Sequence, residues 1–332
     1  MSEPKPDSID NIHPSLFFED GDIRLSANTA DGSRQVYKLH RFVLCRASQV
    51  FKDMFVVSGT ERREEVEMPD RAEDISPLFE AMYSPTYIYA LLNTASKIGH
   101  SLQPLSALVR ISRKYAMEDV AQAVMSHVKA QWPNTLMDWD IRQGVQSVIR
   151  ASVASGDIGH FRAIFPDPAA SIVFAQEFDL PEILPVAFYQ LSSINVDCQE
   201  TDLFYRDLQW RVLDADTLLR LMKGRERIRR YCWDKLFWNC FDLSGRTHSP
   251  GCYEARTSLR KEMVSEPSFV TGQIDCLQLF QNTISTARNT WNLCLYCKGS
   301  GLLAYIKETR AELWDRLPEF FECKPSQAPV VG

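Results

Sequence analysis

The chain of 332 residues is long enough for one large or two ordinary domains with a sizeable core. Its composition, 45% hydrophobic and 24% charged, is that of a folded globular protein. A formal net charge of −6 argues against a broad nucleic-acid or anionic-membrane surface, which needs a basic field. No stretch approaches the roughly 20 apolar residues that span a bilayer, and residues 1–10 carry no apolar signal-peptide core. A cytoplasmic or nuclear location is the expectation, and there the nine cysteines are free thiols or metal ligands.

Residues 1–15 are polar and expected to be disordered. Ile23-Arg24-Leu25-Ser26 and Tyr37-Lys38-Leu39-His40 each alternate apolar and polar, and Asp31-Gly32 between them supplies a turn, so the segment predicts a β-hairpin. Leu44, Ala47, Ser48, Phe51 and Phe55 then follow one face of a helix, widened by Val43, Val50 and Met54, which predicts a helix buried on most sides. Val66-Glu67-Met68 predicts a short edge strand stopped by Pro69-Asp70. Ile75, Leu78, Phe79 and Met82 predict a helix ending near Ser84-Pro85. After a loop around 101–104, Leu105, Leu108, Val109 and Ser112 begin a helical face. Ala116, Val120, Val124 and Val128 continue it to Trp132-Pro133.

From about 137 to 240 the pattern is helical. Its stripes are Val145, Val148 and Ile149, then Ile183-Leu184 with Ala187-Phe188, then Leu218, Leu221 and Met222 running on to Ile228 and Cys232. Residues 324–332 read as a loose tail. The fold class is therefore α+β, with a small sheet and helices over 16–132 and a mostly α-helical region over 137–323.

The residues filling the first part are particular. Asp22-Ile23-Arg24-Leu25, the run Tyr37-Lys38-Leu39-His40-Arg41-Phe42-Val43-Leu44, the pair Ser48 and Phe51, and Lys114-Tyr115-Ala116-Met117 together resemble the BTB/POZ pattern. A second stretch, Asp179-Leu180-Pro181-Glu182-Ile183-Leu184-Pro185-Val186-Ala187-Phe188-Tyr189, resembles a segment following the BTB domain in fungal, mushroom-type proteins of unassigned function. Trp314-Asp315-Arg316-Leu317-Pro318 fits the same group. The first resemblance implies protein–protein binding: self-association, or an adaptor role that recruits partners to a cullin-type ubiquitin ligase. It places the partner-binding residues at Phe42, Met54, Phe55 and Val56. It also implies that the polar residues before Leu16 make a poor swapped dimer arm.

Several side chains invite a chemical role. His40 closes a strand, and a half-buried imidazole bonding near the next helix start is the expectation. Cys294-Leu295-Tyr296-Cys297 has the spacing that lets two thiolates reach one ion. With Cys240 and Cys252 they would complete a tetrahedral zinc set, His248 or Cys276 being the alternative ligands, and closed coordination would make the zinc structural. The competing reading is buried apolar thiols at coincidental spacing. A redox pair is disfavoured because the surroundings are helical and not a βαβ unit.

Lys223, Arg227 and Arg230 share a helix face that could meet phosphates, although a solvated face is the default in an acidic chain. Phosphate-loop, dinucleotide, zinc-protease and nucleophile-elbow motifs are all missing from the sequence. The expectation is a non-enzymatic protein that binds other proteins, without membrane or nucleic acid. The rival readings are a transcriptional regulator pairing BTB with a zinc-dependent region, and an enzyme within the C-terminal region.

Overall fold

The computed structural model describes residues 10–57, 65–95, 102–154, 165–194, 208–238, 247–265, 275–289 and 292–323. The chain divides into two compact units, Met1–Ala130 and Gln131–Gly332.

The N-terminal unit holds a four-stranded sheet in the order β1-β3-β2-β4, with β1 at Asp10–Phe17, β2 at Ile23–Asn28, β3 at Arg34–Leu39 and β4 at Glu65–Glu67. The hairpin pairs Ile23 with Leu39 and Asn28 with Arg34 in antiparallel register. Gly32 takes φ 85° at its turn, a conformation that favours glycine. β2 carries β4 in parallel on its other side.

β1 corrects the expectation of disorder over 1–15: from Asp10 onward the chain pairs in parallel with β3. The ladder is regular from Asp10 to Ile12 and then shifts before Phe17, over the stretch holding Pro14, which has no N–H to donate. Leu16 within the irregular stretch is fully buried.

Helices α1 (Arg41–Ala47), α2 (Gln49–Val57), α3 (Ala72–Tyr83), α4 (Pro85–Ala95), α5 (Gln103–Lys114) and α6 (Glu118–Ala130) complete the unit. The single helix expected through Leu44 and Phe55 is two. Ser48 is extended at φ −141°, ψ 124°. Its hydroxyl donates to the Tyr115 carbonyl at 2.6 Å and accepts from the Phe51 N–H at 3.3 Å. The break turns Val50 toward solvent, while Phe51 packs inward against Tyr115 and Phe79. Ser48→Ala strands the buried Tyr115 carbonyl and should cost about 1–3 kcal/mol. Urea unfolding would read this, and an unchanged midpoint would deny the hydroxyl its role.

A second break separates α5 from α6, where Ala116 sits at φ 54° and the Met117 N–H reaches back to the Ser112 carbonyl at 2.8 Å.

The polar residues of the recognisable motifs are used inside this unit. The Asp22 carboxylate accepts from the Arg41 N–H at 2.7 Å and so caps the start of α1. His40 precedes that helix, with its N–H 2.7 Å and its Nδ1 3.1 Å from the Tyr83 hydroxyl. The Tyr115 hydroxyl donates to Asp70 at 2.7 Å, and Lys114 pairs with the same carboxylate.

The C-terminal unit is helical among its described residues: α7 (Leu136–Ala154), α8 (Pro168–Phe178), α9 (Leu184–Ser192), α10 (Ala215–Cys232), α11 (Pro250–Ser265), α12 (Cys276–Asn289), α13 (Leu295–Gly299), α14 (Leu302–Asp315) and α15 (Leu317–Phe320). α9 is buried along its whole length. α8 starts on the buried Asp167, which accepts from the Ala169 and Ala170 N–H groups, and ends at Asp179 in the left-handed region.

α7 buries only Ile149 of the expected stripe. Trp139, Arg142, Gln146 and Ile149 point inward, while Val145 and Val148 are exposed. The Arg142 guanidinium lies 4.8 Å from both the Trp132 and Phe165 rings and donates to the Gln131 carbonyl and Gln190 Oε1. Met222 on α10 is likewise exposed, whereas Leu221, Ile228 and Cys232 are buried.

Candidate metal centre and partner surface

Pro250 opens α11 in the position where its missing N–H is not needed. The Cys252 N–H donates to the Ser249 carbonyl at 2.9 Å, closing the first turn with His248 just ahead of it. The segment before α13 runs directly against this turn. A Cβ on Gly251 would stand 2.4 Å from the Asn292 carbonyl oxygen, so only glycine permits the approach. The Ser249 hydroxyl donates to that carbonyl at 2.8 Å. Cys294 sits at the N-cap of α13, and Cys297 lies within the helix.

These two segments bring His248, Cys252, Cys294 and Cys297 together, with their ligand atoms all within 4.8 Å of one another. The His248 Nδ1 lies 3.3 Å from Cys297 Sγ and 3.7 Å from Cys294 Sγ. The Cys294 N–H points at Cys252 Sγ at 3.3 Å, and the Ser249 Oγ lies 3.2 Å from the same sulfur. Cys252 and Cys297 are buried, and His248 and Cys294 half-buried.

The thiols are unequal. A backbone hydrogen bond from Cys297, the largest influence, holds Cys294 down at about 6. Burial, then the neighbouring Cys294 and Cys252, pushes Cys297 up to about 12. Three sulfurs this close cannot all ionise without a cation among them, and a bound dication reverses that cost. The cluster has the donor set and the spacing to hold a metal ion.

The sequence expectation placed Cys240 first in this set. Cys240 lies outside the described residues, as does Cys198. His248, named as an alternative, stands with the three cysteines; Cys276, the other alternative, does not. Cys276 opens α12 beside Cys232 and Tyr189, where burial raises the Cys232 thiol well above its ordinary value. The signal favouring His248 is local: Ser-Pro-Gly marks a helix start, and His248 and Cys252 flank it four residues apart.

Of the basic face expected on α10, Arg227 is used in packing while Lys223 and Arg230 are exposed. Arg220 donates to the Phe321 and Glu322 carbonyls, and Arg227 donates to the Phe320 carbonyl at 2.9 Å and pairs with Glu322. These guanidinium groups satisfy carbonyls at the end of α15. Arg229 pairs with Glu226 on its own helix.

On the N-terminal unit, Phe42 is 73% exposed and Val56 66% exposed, with Val50 also outward and Met54 half-buried. Phe55, expected beside them on a partner surface, is instead 4% exposed. It packs on Phe51 at 6.3 Å beneath the Arg41 guanidinium, because it shares the inward face of α2 with Phe51. No helix among the described residues is long and apolar enough to cross a membrane.

Residues 19–131 match the family model of the BTB/POZ domain, a protein–protein interaction module. No match was found among curated proteins or among solved structures. The four-stranded sheet and its helices, with the motif residues placed at their caps and core, make the N-terminal unit a BTB/POZ domain, and a mostly helical region follows it.

Proposed function

We propose that the protein is a non-enzymatic adaptor or scaffold that binds another protein through its BTB/POZ domain and recruits it to a cullin-type ubiquitin ligase. The observation carrying this reading is the outward apolar group on α1 and α2. Phe42 and Val56 stay in solvent although the domain's motif residues are satisfied internally. Exposed apolar side chains grouped on one helix pair are what a partner desolvates. The resemblance of residues 179–189 to the post-BTB segment of fungal proteins belongs with this reading.

Phe42→Glu with Val56→Glu should weaken capture of a cullin, or self-association in light scattering, by at least about tenfold, the equivalent of ~1.4 kcal/mol. The far-UV melting curve should stay unchanged, since neither side chain is in the core. Full binding by the double variant would move the contact elsewhere, and no binding by the native chain would remove the ligase role.

The regulator reading loses ground because Arg227, one of the three residues of the phosphate-facing trio, already holds a carboxylate and a carbonyl. A structural zinc ion in the C-terminal unit completes the proposal.

A further inference from the structure

We infer that His248, Cys252, Cys294 and Cys297 bind a single zinc ion in a closed Cys3His site that clasps the start of α11 to the segment entering α13. The inference rests on the zinc reading and adds to it the ligand set, the coordination and the task.

Geometry carries the ligand set. With Zn–N near 2.0–2.1 Å and Zn–S near 2.3 Å, a tetrahedral site puts nitrogen and sulfur roughly 3.5 Å apart, and sulfur from sulfur roughly 3.8 Å. The His248 Nδ1 to sulfur distances of 3.3 and 3.7 Å bracket the first figure. All four donor atoms fall within 4.8 Å of one another, close enough for small side-chain shifts to close them on one ion.

Donor chemistry selects the ion. Three thiolates and an imidazole suit zinc, whereas calcium and magnesium want oxygen. The four side chains use all four tetrahedral positions, so no place remains for a reacting water, which is the mark of a structural site.

The hydrogen bonds around the sulfurs support the same arrangement. A zinc ion with three thiolates carries a net negative charge, and N–H donors aimed at sulfur offset it. The Cys294 N–H is directed at Cys252 Sγ, and the Cys297 backbone donates to the Cys294 sulfur.

The task follows from chain distance. His248 and Cys297 are 49 residues apart, and beyond the four ligand side chains their segments meet at the Gly251–Asn292 approach, the Ser249 hydroxyl bond and the His248–Tyr296 ring contact. An ion bound by both segments contributes its binding free energy directly to holding them together.

The test uses the full chain, purified without added metal and passed over a chelating resin. Elemental analysis should find one zinc per chain. Cobalt substitution should give the visible bands of tetrahedral coordination, with charge-transfer intensity for three thiolates. Cys294→Ser and His248→Ala should weaken zinc binding by more than about 100-fold, beyond the ~10–100-fold that losing a hydrogen-bond partner of a ligand costs. Cys240→Ser and Cys276→Ser should keep one zinc.

A native chain that neither carries nor takes up zinc overturns the zinc reading itself. Zinc that survives His248→Ala but leaves with Cys240→Ser overturns the ligand set alone. Should the ligand variants fail to fold, the cobalt spectrum of the native chain decides, four thiolates counting against the inference and three for it.

Discussion

Replacing Phe51 by alanine will lower the stability of the N-terminal unit by about 3–5 kcal/mol. Phe51 is fully buried, stacked at 4.8 Å and 16° on Tyr115, with Phe79 at 5.9 Å and Phe55 at 6.3 Å. The cost of such a truncation depends on how far the neighbours can collapse into the space. Here two nearby rings are tethered at their far ends: the Tyr115 hydroxyl holds Asp70, and the Tyr37 hydroxyl holds Ser76. Tyr37 in turn packs edge-on to Phe79. The cavity should stay open, which puts the loss toward the upper end of the range.

Every tryptophan of the chain lies at position 132 or beyond, so indole fluorescence reads the C-terminal unit alone. The Phe51→Ala transition should therefore appear in far-UV circular dichroism, with the fluorescence transition in place. A loss below about 1 kcal/mol would mean that the aromatic cluster repacks.

Arg310→Met should produce the opposite pattern, moving the fluorescence transition and leaving the N-terminal transition where it was. Arg310 is 5% exposed on α14. Its Nε donates to the Leu277 carbonyl at 3.0 Å, and its two terminal nitrogens hold the Asp140 carboxylate of α7 in a bidentate pair. Methionine fills similar volume but abandons both acceptors. Breaking a buried pair from one side costs about 3–5 kcal/mol. Asp140 is 38% exposed and recovers part of that from water, so about 2–4 kcal/mol is expected. Arg310→Lys keeps the charge without the planar fork and should restore less than half of the loss. A methionine variant as stable as the native chain would show that the pair serves specificity and not stability.

What the sequence made legible was local. The hairpin announced itself by alternation around Asp31-Gly32, and the register of Ile23 with Leu39 follows from it. The Cys294/Cys297 spacing likewise marks half of the candidate metal site in the sequence alone.

The misreadings have non-local causes. The apolar period runs straight through Ser48, and the helix breaks there because the hydroxyl answers a carbonyl 67 residues away. On α7, counting apolar residues picks Val145 and Val148, but the inward face carries Gln146 and Arg142, and Arg142 donates to Gln190 of α9. Periodicity finds a face only when that face is apolar. Pro14 similarly concealed β1, since a proline counts against a strand except at an edge. Spacing along the chain also says little about which loops meet, so the sequence leaves His248 as an alternative ligand although it stands with the three cysteines.

The placement of β1 has a further consequence. It occupies the outer flank of β3, and β4, the strand at the opposite rim, spans three residues. A rim interrupted at a proline and a rim three residues long are both poor templates for an incoming chain, which needs an unbroken row of amides and carbonyls. Recruitment by strand addition is thereby disfavoured on both sides. Discrimination between partners then falls to side chains, so partner choice can drift through single surface substitutions while the backbone scaffold stays fixed.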